Sequence, residues 1–176
     1  MKISPTPVEG AFVIDLSPAN DTRGFFARCW DLDVLNAHKL DTHVQLSAIT
    51  HNVSRGTLRG MHYQAAPFAE AKYVRVTRGA IFDVALDLRP ESPSYLQWHG
   101  EVLSAENHRQ LYVPKGCAHG YLTLEDDTEL TYILTAPFAS DHARGVRYND
   151  PTFNIQWPGK INVIAPRDAN YADYAL

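Results

Sequence analysis

Cysteine, clustered positive charge and long apolar runs are all scarce in this chain of 176 residues. Its two cysteines, Cys29 and Cys117, are isolated, which excludes a disulfide framework and favours free thiols in a reducing compartment. No segment reaches the about eighteen uninterrupted apolar residues that a membrane-spanning helix needs. The net charge is -4, whereas phosphate binding needs clustered Lys and Arg. We therefore expect neither nucleic acid nor a membrane as a partner.

The N-terminal segment Met1–Pro5 has no apolar stretch and no small-residue cleavage site. No secretory signal is visible, and we expect a cytoplasmic protein. The length suits a single domain, residues 1–176, which buries roughly 70% of its unfolded surface and has room for a pocket. No internal repeat or low-complexity linker divides the chain.

Short strand-like segments separated by glycine, proline and other turn residues fill most of the chain. Strands are predicted at residues 8–16, 23–26, 44–49, 57–64, 73–78, 80–88, 98–103, 110–113, 120–123 and 128–135. One short helix is predicted over Asp31–Leu40, and residues 17–21 and 166–168 are expected to form loops. This spacing is typical of a β-sandwich or β-barrel.

The segment Gly56–Gln64, followed by Lys72, carries the densest set of chemically useful side chains. In a half-buried strand, alternate side chains face the same side. The face predicted to carry His62 also carries Leu58, Gly60 and Gln64, and the opposite face carries Arg59, Met61 and Tyr63. His62 is thus predicted to point into the interior, either as a hydrogen-bonded core residue or as a functional group.

A second histidine, His119, lies in the turn-like segment Pro114–Gly120, and in a small barrel it could share a cavity with His62. One hypothesis is a metal site, because His62, Gln64, Glu70 and His119 are spaced like metal ligands in metal-binding cupins. Glutamine is a poor transition-metal ligand, and Lys72 would place a cation beside the metal, so this hypothesis is disfavoured.

Lys72 indicates a different chemistry. A buried ammonium group beside a ketone oxygen stabilises the enolate that forms when a neighbouring C–H proton is removed. Histidine is suited to remove that proton because its pKa is close to neutral pH. Tyr132 is either a core tyrosine or a second acid–base group, and Asp168 either orients His62 or caps a turn.

Several motifs, in order along nearly the whole chain, resemble those of the dTDP-4-dehydrorhamnose 3,5-epimerase family. They are Asp21–Phe26, Leu58–Gln64, Phe82–Arg89, Glu91–Pro93, Leu103–Gln110, Pro114–Gly120, Asn149–Pro151 and Trp157–Pro158. The resemblance implies a mostly β fold, a small cupin or jelly-roll β-barrel with a few short helices. It also implies an isomerase that needs no metal or other cofactor and inverts C3, C5 or both of a nucleotide-linked 4-keto-6-deoxy sugar.

The same resemblance implies roles for individual residues. His62 would be the base, Tyr132 the acid on the opposite sugar face, Lys72 the cation at the C4 oxygen, and Asp168 the partner of His62. The implied assembly is a homodimer with an exchanged N-terminal strand. The implied substrate-binding residues are Arg23, which would reach the diphosphate in the partner's site, Arg59, His119, Arg167, and the base-stacking Phe26 and Phe138.

This chain departs from the family pattern at positions that would face the nucleotide. Arg28 and Ala143 replace glutamates, and Ser47-Ala48-Ile49 replaces Gln-x-Asn. Because a changed set of hydrogen-bonding partners alters base discrimination, CDP or GDP could replace dTDP as the carrier. Two further functions compete with the epimerase: a metal-dependent cupin enzyme, and a sugar-nucleotide binding module without catalysis.

Overall fold

The computed structural model describes residues 1–175, and its main feature is a pair of facing β-sheets. The first sheet contains, in spatial order, β1 (Lys2–Pro5), β2 (Phe12–Asp15), β10 (Gln110–Val113), β7 (Lys72–Arg78), β12 (Thr128–Leu134) and β5 (Leu46–Asn52). The second contains β13 (Ala143–Gly145), β6 (Thr57–Gln64), β11 (Cys117–Thr123), β8 (Ala80–Asp87) and β9 (Trp98–Ser104), with β14 (Val163–Ile164) pairing parallel to β6.

The remaining elements lie outside these sheets. They are the hairpin of β3 (Ala19–Asp21) and β4 (Gly24–Phe26), helix α1 (Leu32–Ala37), a 3-10 turn (Ser140–His142) and helix α2 (Pro166–Ala169). Neither helix is long and apolar enough to cross a membrane, and the described residues contain no other that could.

The main hydrophobic core fills the space between the sheets. Alternate residues of each strand point inward, so both sheets contribute. The first sheet supplies Val13, Val74, Val76, Leu111, Val113 and Leu130, and the second supplies Ile81, Ala85, Leu103, Cys117 and Tyr121. The predicted mostly β, jelly-roll-like fold with a few short helices is confirmed. The sheets face each other as a sandwich, and no hydrogen-bonded strand pair described over residues 1–175 closes them into a barrel.

The predicted bounds of β6 and β10 match the structure, and the helix prediction was right in type but too long. Asp31 caps α1 by accepting a hydrogen bond from the Val34 N–H. The loop predictions at 17–21 and 166–168 were wrong, since these residues contain β3 and α2. Strands β1, β13 and β14 were missed because two to four residues carry too little periodicity to be recognised.

The predicted faces of β6 were also partly wrong. His119 pairs with His62 but Tyr121 pairs with Arg59, so the register of β6 against β11 shifts by one residue between these pairs. This bulge moves Arg59 onto the face that carries His62, while Leu58 faces the other way. The close approach depends on glycine, because a Cβ on Gly60 would lie 2.5 Å from the Gly120 Cα.

Candidate active site

A cavity of about 330 Å³ opens between the two sheets. Its walls carry several charged and aromatic side chains. The residues that line the cavity include Ala48, Thr50, His62, Gln64, Glu70, Lys72, His119, Tyr132, Leu134, Phe138, Ala143, Arg144 and Arg167. The volume suits a small ligand of about the size of a sugar ring with substituents.

His62 and Asp168 form a hydrogen-bonded pair on one wall. His62 projects from β6, and its Nε2 lies 2.7 Å from Asp168 Oδ1. The other carboxylate oxygen accepts a hydrogen bond from the Gly60 N–H at 3.1 Å. Burial raises the pKa of Asp168, but the hydrogen bonds from His62 and Gly60 outweigh it and hold this pKa below its usual value. Asp168 is therefore ionised near neutral pH and fixes the orientation of the imidazole.

Helix α2 brings Asp168 to this position. Strand β14 runs parallel to β6 and ends at Ile164, two residues before Pro166 opens the helix. Asp168 consequently faces β6 and is 5% exposed.

Tyr132 lies on the opposite wall, because β12 belongs to the other sheet. Its ring meets that of His119 edge-on, with 5.9 Å between the ring centroids. Burial, together with the nearby Tyr121 phenol and the Asp83 carboxylate, raises the pKa of Tyr132 well above its ordinary value. Tyr132 is therefore a neutral phenol near pH 7 and can serve as a proton donor.

Lys72, the first residue of β7, supplies a cation at the inner end of the cavity. It is 7% exposed, its Nζ donates to the His62 carbonyl oxygen at 3.2 Å, and Glu70 Oε1 lies 3.4 Å away. Burial lowers the pKa of Lys72, while the charges of Glu70 and Asp83 oppose this decrease. Such a poorly hydrated ammonium group interacts strongly with developing negative charge.

The sequence did not predict that His119 would be paired with Asp83. His119 Nε2 lies 2.7 Å from Asp83 Oδ1, and both side chains are buried. The available signal was a carboxylate in the apolar run Ile81–Leu86, since a charge buried there needs a partner. Among residues 1–175, the other oxygen of Asp83 has no hydrogen-bond partner.

Gln64 holds the cavity rim in place. Its amide nitrogen donates to the carbonyl oxygens of Phe68 and Pro137 and to Glu70, and its oxygen accepts from the Ala139 N–H. These bonds flank Phe138, which is 70% exposed at the rim. Gln64 thus has other partners than a metal, and no three His, Cys, Asp or Glu side chains in the described part of the chain are grouped to hold one.

Arg167 lines the cavity, whereas Arg59 lines a neighbouring pocket together with His62 and Asp168. Arg59 Nε donates to Asn52 Oδ1 at 2.9 Å, across to strand β5. Arg167 lines the rim, with its guanidinium 5.8 Å from the centre of the Tyr171 ring. Ser47, in contrast, is exposed on the outward side of β5, whereas Ala48 and Thr50 line the cavity.

Besides Ser47 and Arg59, three predicted substrate-binding residues near the β3–β4 hairpin do not line the cavity of this single chain. Arg23, in the turn between β3 and β4, pairs with Asp21 at 2.6 Å and its side chain is 88% exposed. Phe26, on β4, is 70% exposed. Arg28 pairs with Asp31 at 2.7 Å, outside the cavity.

Known proteins share both the sequence pattern and the fold of this chain. The sequence profile of the dTDP-4-dehydrorhamnose 3,5-epimerase family matches residues 5–175. The chain belongs to this family. The predicted membership, and with it the prediction of an epimerase of the isomerase class, is confirmed.

Individual members are similar over most of their length. The chain is 43% identical to the dTDP-4-dehydrorhamnose 3,5-epimerase of Sinorhizobium fredii over 151 residues, which cover 85% of this chain and 77% of that protein. It is 34% identical to a dTDP-4-dehydrorhamnose 3-epimerase of Streptomyces niveus, covering 96% and 81% of the two chains. The crystal structure of the Bacillus anthracis 3,5-epimerase, with TDP and PPi bound, superposes with a TM-score of 0.94 at 36% identity, covering 98% and 99%.

Proposed function

We propose that residues 1–176 act as one domain that inverts C3, C5 or both of a nucleotide-linked 4-keto-6-deoxy sugar without a metal or other cofactor. One observation carries the proposal: His62 and Tyr132 stand on opposite walls of one cavity, with the Lys72 ammonium group between the sheets that hold them. Both carbons are alpha to the C4 ketone, so one site can serve both inversions.

The proposed reaction follows from these positions. His62 removes the proton from the carbon next to the ketone, and the electron pair of the C–H bond moves to the C4 oxygen, which Lys72 stabilises as an enolate. Tyr132 then gives its proton to the opposite face of that carbon, which inverts it. His62 ends protonated beside ionised Asp168, and exchange with water resets both groups.

The nucleotide carrier is proposed to be dTDP, with CDP or GDP as the alternative. Support for dTDP comes from the names of the relatives and from the TDP in the Bacillus anthracis structure. The alternative is favoured by Ala143 at the cavity and by Arg28 and Ser47 where the family carries other polar groups. Titration calorimetry with the three nucleotides decides between them, and tightest binding of dTDP would remove CDP and GDP.

We further propose that the active unit is a cytoplasmic homodimer with an exchanged N-terminal segment. The β3–β4 hairpin pairs only with itself within residues 1–175, and Phe25 and Phe26 are 51% and 70% exposed. In a partner's cavity, Arg23 would reach the diphosphate and Phe26 would stack on the base with Phe138. The free thiols of Cys29 and Cys117 support a reducing compartment.

Subunit mixing tests the exchange. Arg23→Ala and His62→Ala chains, each of low activity, are mixed and allowed to re-equilibrate. If the hairpin is exchanged, each mixed dimer has one site with both defects and one site with neither, so activity returns. If the mixture stays inactive while mixed dimers form, the exchange is refuted.

Deuterium incorporation tests the activity itself. Incubation of dTDP-4-keto-6-deoxyglucose with the protein in heavy water should place deuterium at C3, C5 or both, and NMR should show inversion at the labelled carbons. The similar 3-epimerase of Streptomyces niveus makes labelling of C3 alone a specific second outcome. Binding without labelling would instead favour a binding module, and stoichiometric transition metal at His62 and His119 a metal-dependent enzyme.

A further inference from the structure

A second tyrosine, Tyr121, lies behind Tyr132 in the core between the sheets. It projects from β11, is 1% exposed, and belongs to the buried cluster against which Tyr132 packs. Both rings flank the same imidazole, with centroids 6.3 Å (Tyr121) and 5.9 Å (Tyr132) from that of His119. Tyr121 does not line the cavity, so it can act on a substrate only through the residues that it contacts.

The hydrogen bond of the Tyr121 hydroxyl can be released without leaving a buried group unpaired. The hydroxyl donates to Asn52 Oδ1 at 3.1 Å, and Arg59 Nε donates to that same oxygen at 2.9 Å. Asn52 is 2% exposed and is held by its Nδ2, which donates to the Thr128 carbonyl oxygen. If the Tyr121 hydroxyl turned away, Arg59 would still satisfy Asn52, so the usual penalty for an orphaned buried acceptor would not arise.

We propose that Tyr121 is a positioning residue whose hydroxyl turns from Asn52 to Tyr132 once Tyr132 has given its proton to the sugar. This inference rests on the proposed epimerase function. In the resting state Tyr121 donates to Asn52, and Tyr132 stays a neutral phenol. After proton transfer the Tyr132 oxygen is anionic, and the Tyr121 O–H donates to it. No proton leaves Tyr121, so the step balances: one proton passes from Tyr132 to carbon, and one hydrogen bond changes its acceptor.

The energetic reason is that hydrogen bonds to charged groups are stronger than neutral ones, about 1.5–3 kcal/mol against about 1 kcal/mol. The charged and titratable groups facing the two phenols are Arg59, His119 and Asp83. Asp83 disfavours a phenolate and Arg59 favours one. A neutral donor that is free to turn therefore stabilises the phenolate without placing another charge in the core.

The test is Tyr121→Phe, which removes only the hydroxyl, beside the control Tyr73→Phe. Tyr73 is likewise buried and donates one hydrogen bond, to the Asp41 carbonyl oxygen, but on the outer side of the first sheet. In heavy water, NMR measures inverted product and uninverted substrate that has gained deuterium. Tyr121→Phe should lower kcat for inversion about 10- to 100-fold with KM nearly unchanged. Labelling without inversion should persist, because His62 still removes the proton.

The split between inversion and labelling is a readout that a merely structural role would not move, because damage to the fold would lower both rates together. An unchanged inversion rate, an equal fall in inversion and labelling, or the same changes in Tyr73→Phe would overturn the inference. A wild-type chain that neither labels nor inverts the substrate would instead overturn the proposed function and this inference with it.

A second variant keeps the test valid if Tyr121→Phe does not fold. A fluorinated tyrosine at position 121 keeps the ring and makes the hydroxyl a stronger donor. The kcat for inversion should then exceed that of the wild type while labelling stays unchanged, because the stronger donor stabilises the Tyr132 phenolate better. An inversion rate at or below the wild-type value would refute the role of Tyr121.

Discussion

Strand β8 carries two fully buried aspartates whose surroundings differ sharply. Asp83 and Asp87 lie on the same face of the strand, about 13 Å apart, and each has 0% exposure. Asp87 accepts hydrogen bonds at both oxygens from the backbone and side chain of Arg89 and from the hydroxyls of Ser92 and Ser94. Asp83 accepts one, from His119, and its second oxygen has no partner within the described residues.

Asp87, whose two carboxylate oxygens both accept hydrogen bonds, stabilises the fold. Arg89 also donates to the Glu9 carbonyl oxygen, and Ser94 accepts from the Glu9 N–H, so the cluster ties the N-terminal segment to the end of the second sheet. Cys117, paired with Asp87 across the strands, is unreactive because burial raises the pKa of its thiol to about 12. Nothing in this cluster is left to bind a ligand.

Asp83, whose second oxygen has no partner among the described residues, lies behind the cavity wall and contacts it through His119. An unpaired buried acceptor costs about 1–3 kcal/mol, and such groups cluster where a ligand or a reacting group completes the bonding. We therefore expect side chains at the Asp87 end to determine stability and those at the Asp83 end to determine activity. Three substitutions test this division, with effects that decrease in the order His62→Ala, Asp87→Ala and Asp83→Asn.

His62→Ala should lower the inversion rate by about 10²- to 10⁴-fold, because it removes the base that takes the substrate proton. Deuterium labelling of substrate should fall in parallel. The free energy of unfolding should change by less than about 1 kcal/mol, since the side chain is 41% exposed. Urea unfolding and NMR measure both effects, with His43→Ala, exposed and outside the cavity, as the control. Labelling that survives in His62→Ala would assign the base to another residue.

Asp87→Ala should have the opposite profile, with a loss of about 3 kcal/mol in unfolding free energy and little change in kcat. The variant leaves Arg89, Ser92 and Ser94 without their shared acceptor, whereas the cavity is untouched. Urea unfolding at pH 7 measures the loss, with exposed Asp33→Ala as the control. If the folded Asp87→Ala variant lost kcat as well as stability, the proposed division between residues for stability and residues for activity would be wrong.

The pH dependence of that loss has a definite sign. Burial raises the pKa of Asp87, but the hydrogen bonds from Arg89 and the two serines hold it far below its usual value. A depressed carboxyl pKa stabilises the fold above the unfolded pKa of about 3.9 and loses this contribution as pH falls toward the folded value. The stability difference between wild type and Asp87→Ala should therefore be constant from about pH 5 to 8 and shrink below about pH 4.

The sequence predicted the strands better than their contacts across the sheets. Alternation and turn residues were enough to predict β6 and β10, and the structure places His62, Lys72, Tyr132 and Asp168 together. Their catalytic roles stay predictions. The bulge that places Arg59 on the same face of β6 as His62 could not be predicted, because it depends on how closely β6 approaches Gly120 of β11. The pairing of Asp83 with His119 likewise joins residues 36 apart in the chain.

Asp83→Asn should have the smallest effect and distinguishes the roles of the two aspartates most directly. Asparagine fills the same volume and still accepts the hydrogen bond from His119, so the free energy of unfolding should change by less than about 1 kcal/mol, compared with a larger loss in Asp87→Asn.

The substitution also removes the negative charge of the Asp83 carboxylate. Asp83 raises the pKa of both Lys72 and Tyr132, and both must be protonated for the proposed reaction. Without it both lose their protons at lower pH, so the alkaline limit of kcat should move to lower pH. At neutral pH, where both groups stay protonated, kcat should change by less than about fivefold. Because Asp87→Asn leaves this charge in place, a limit that moved equally in both variants, or in neither, would show that the two aspartates do not divide stability from activity.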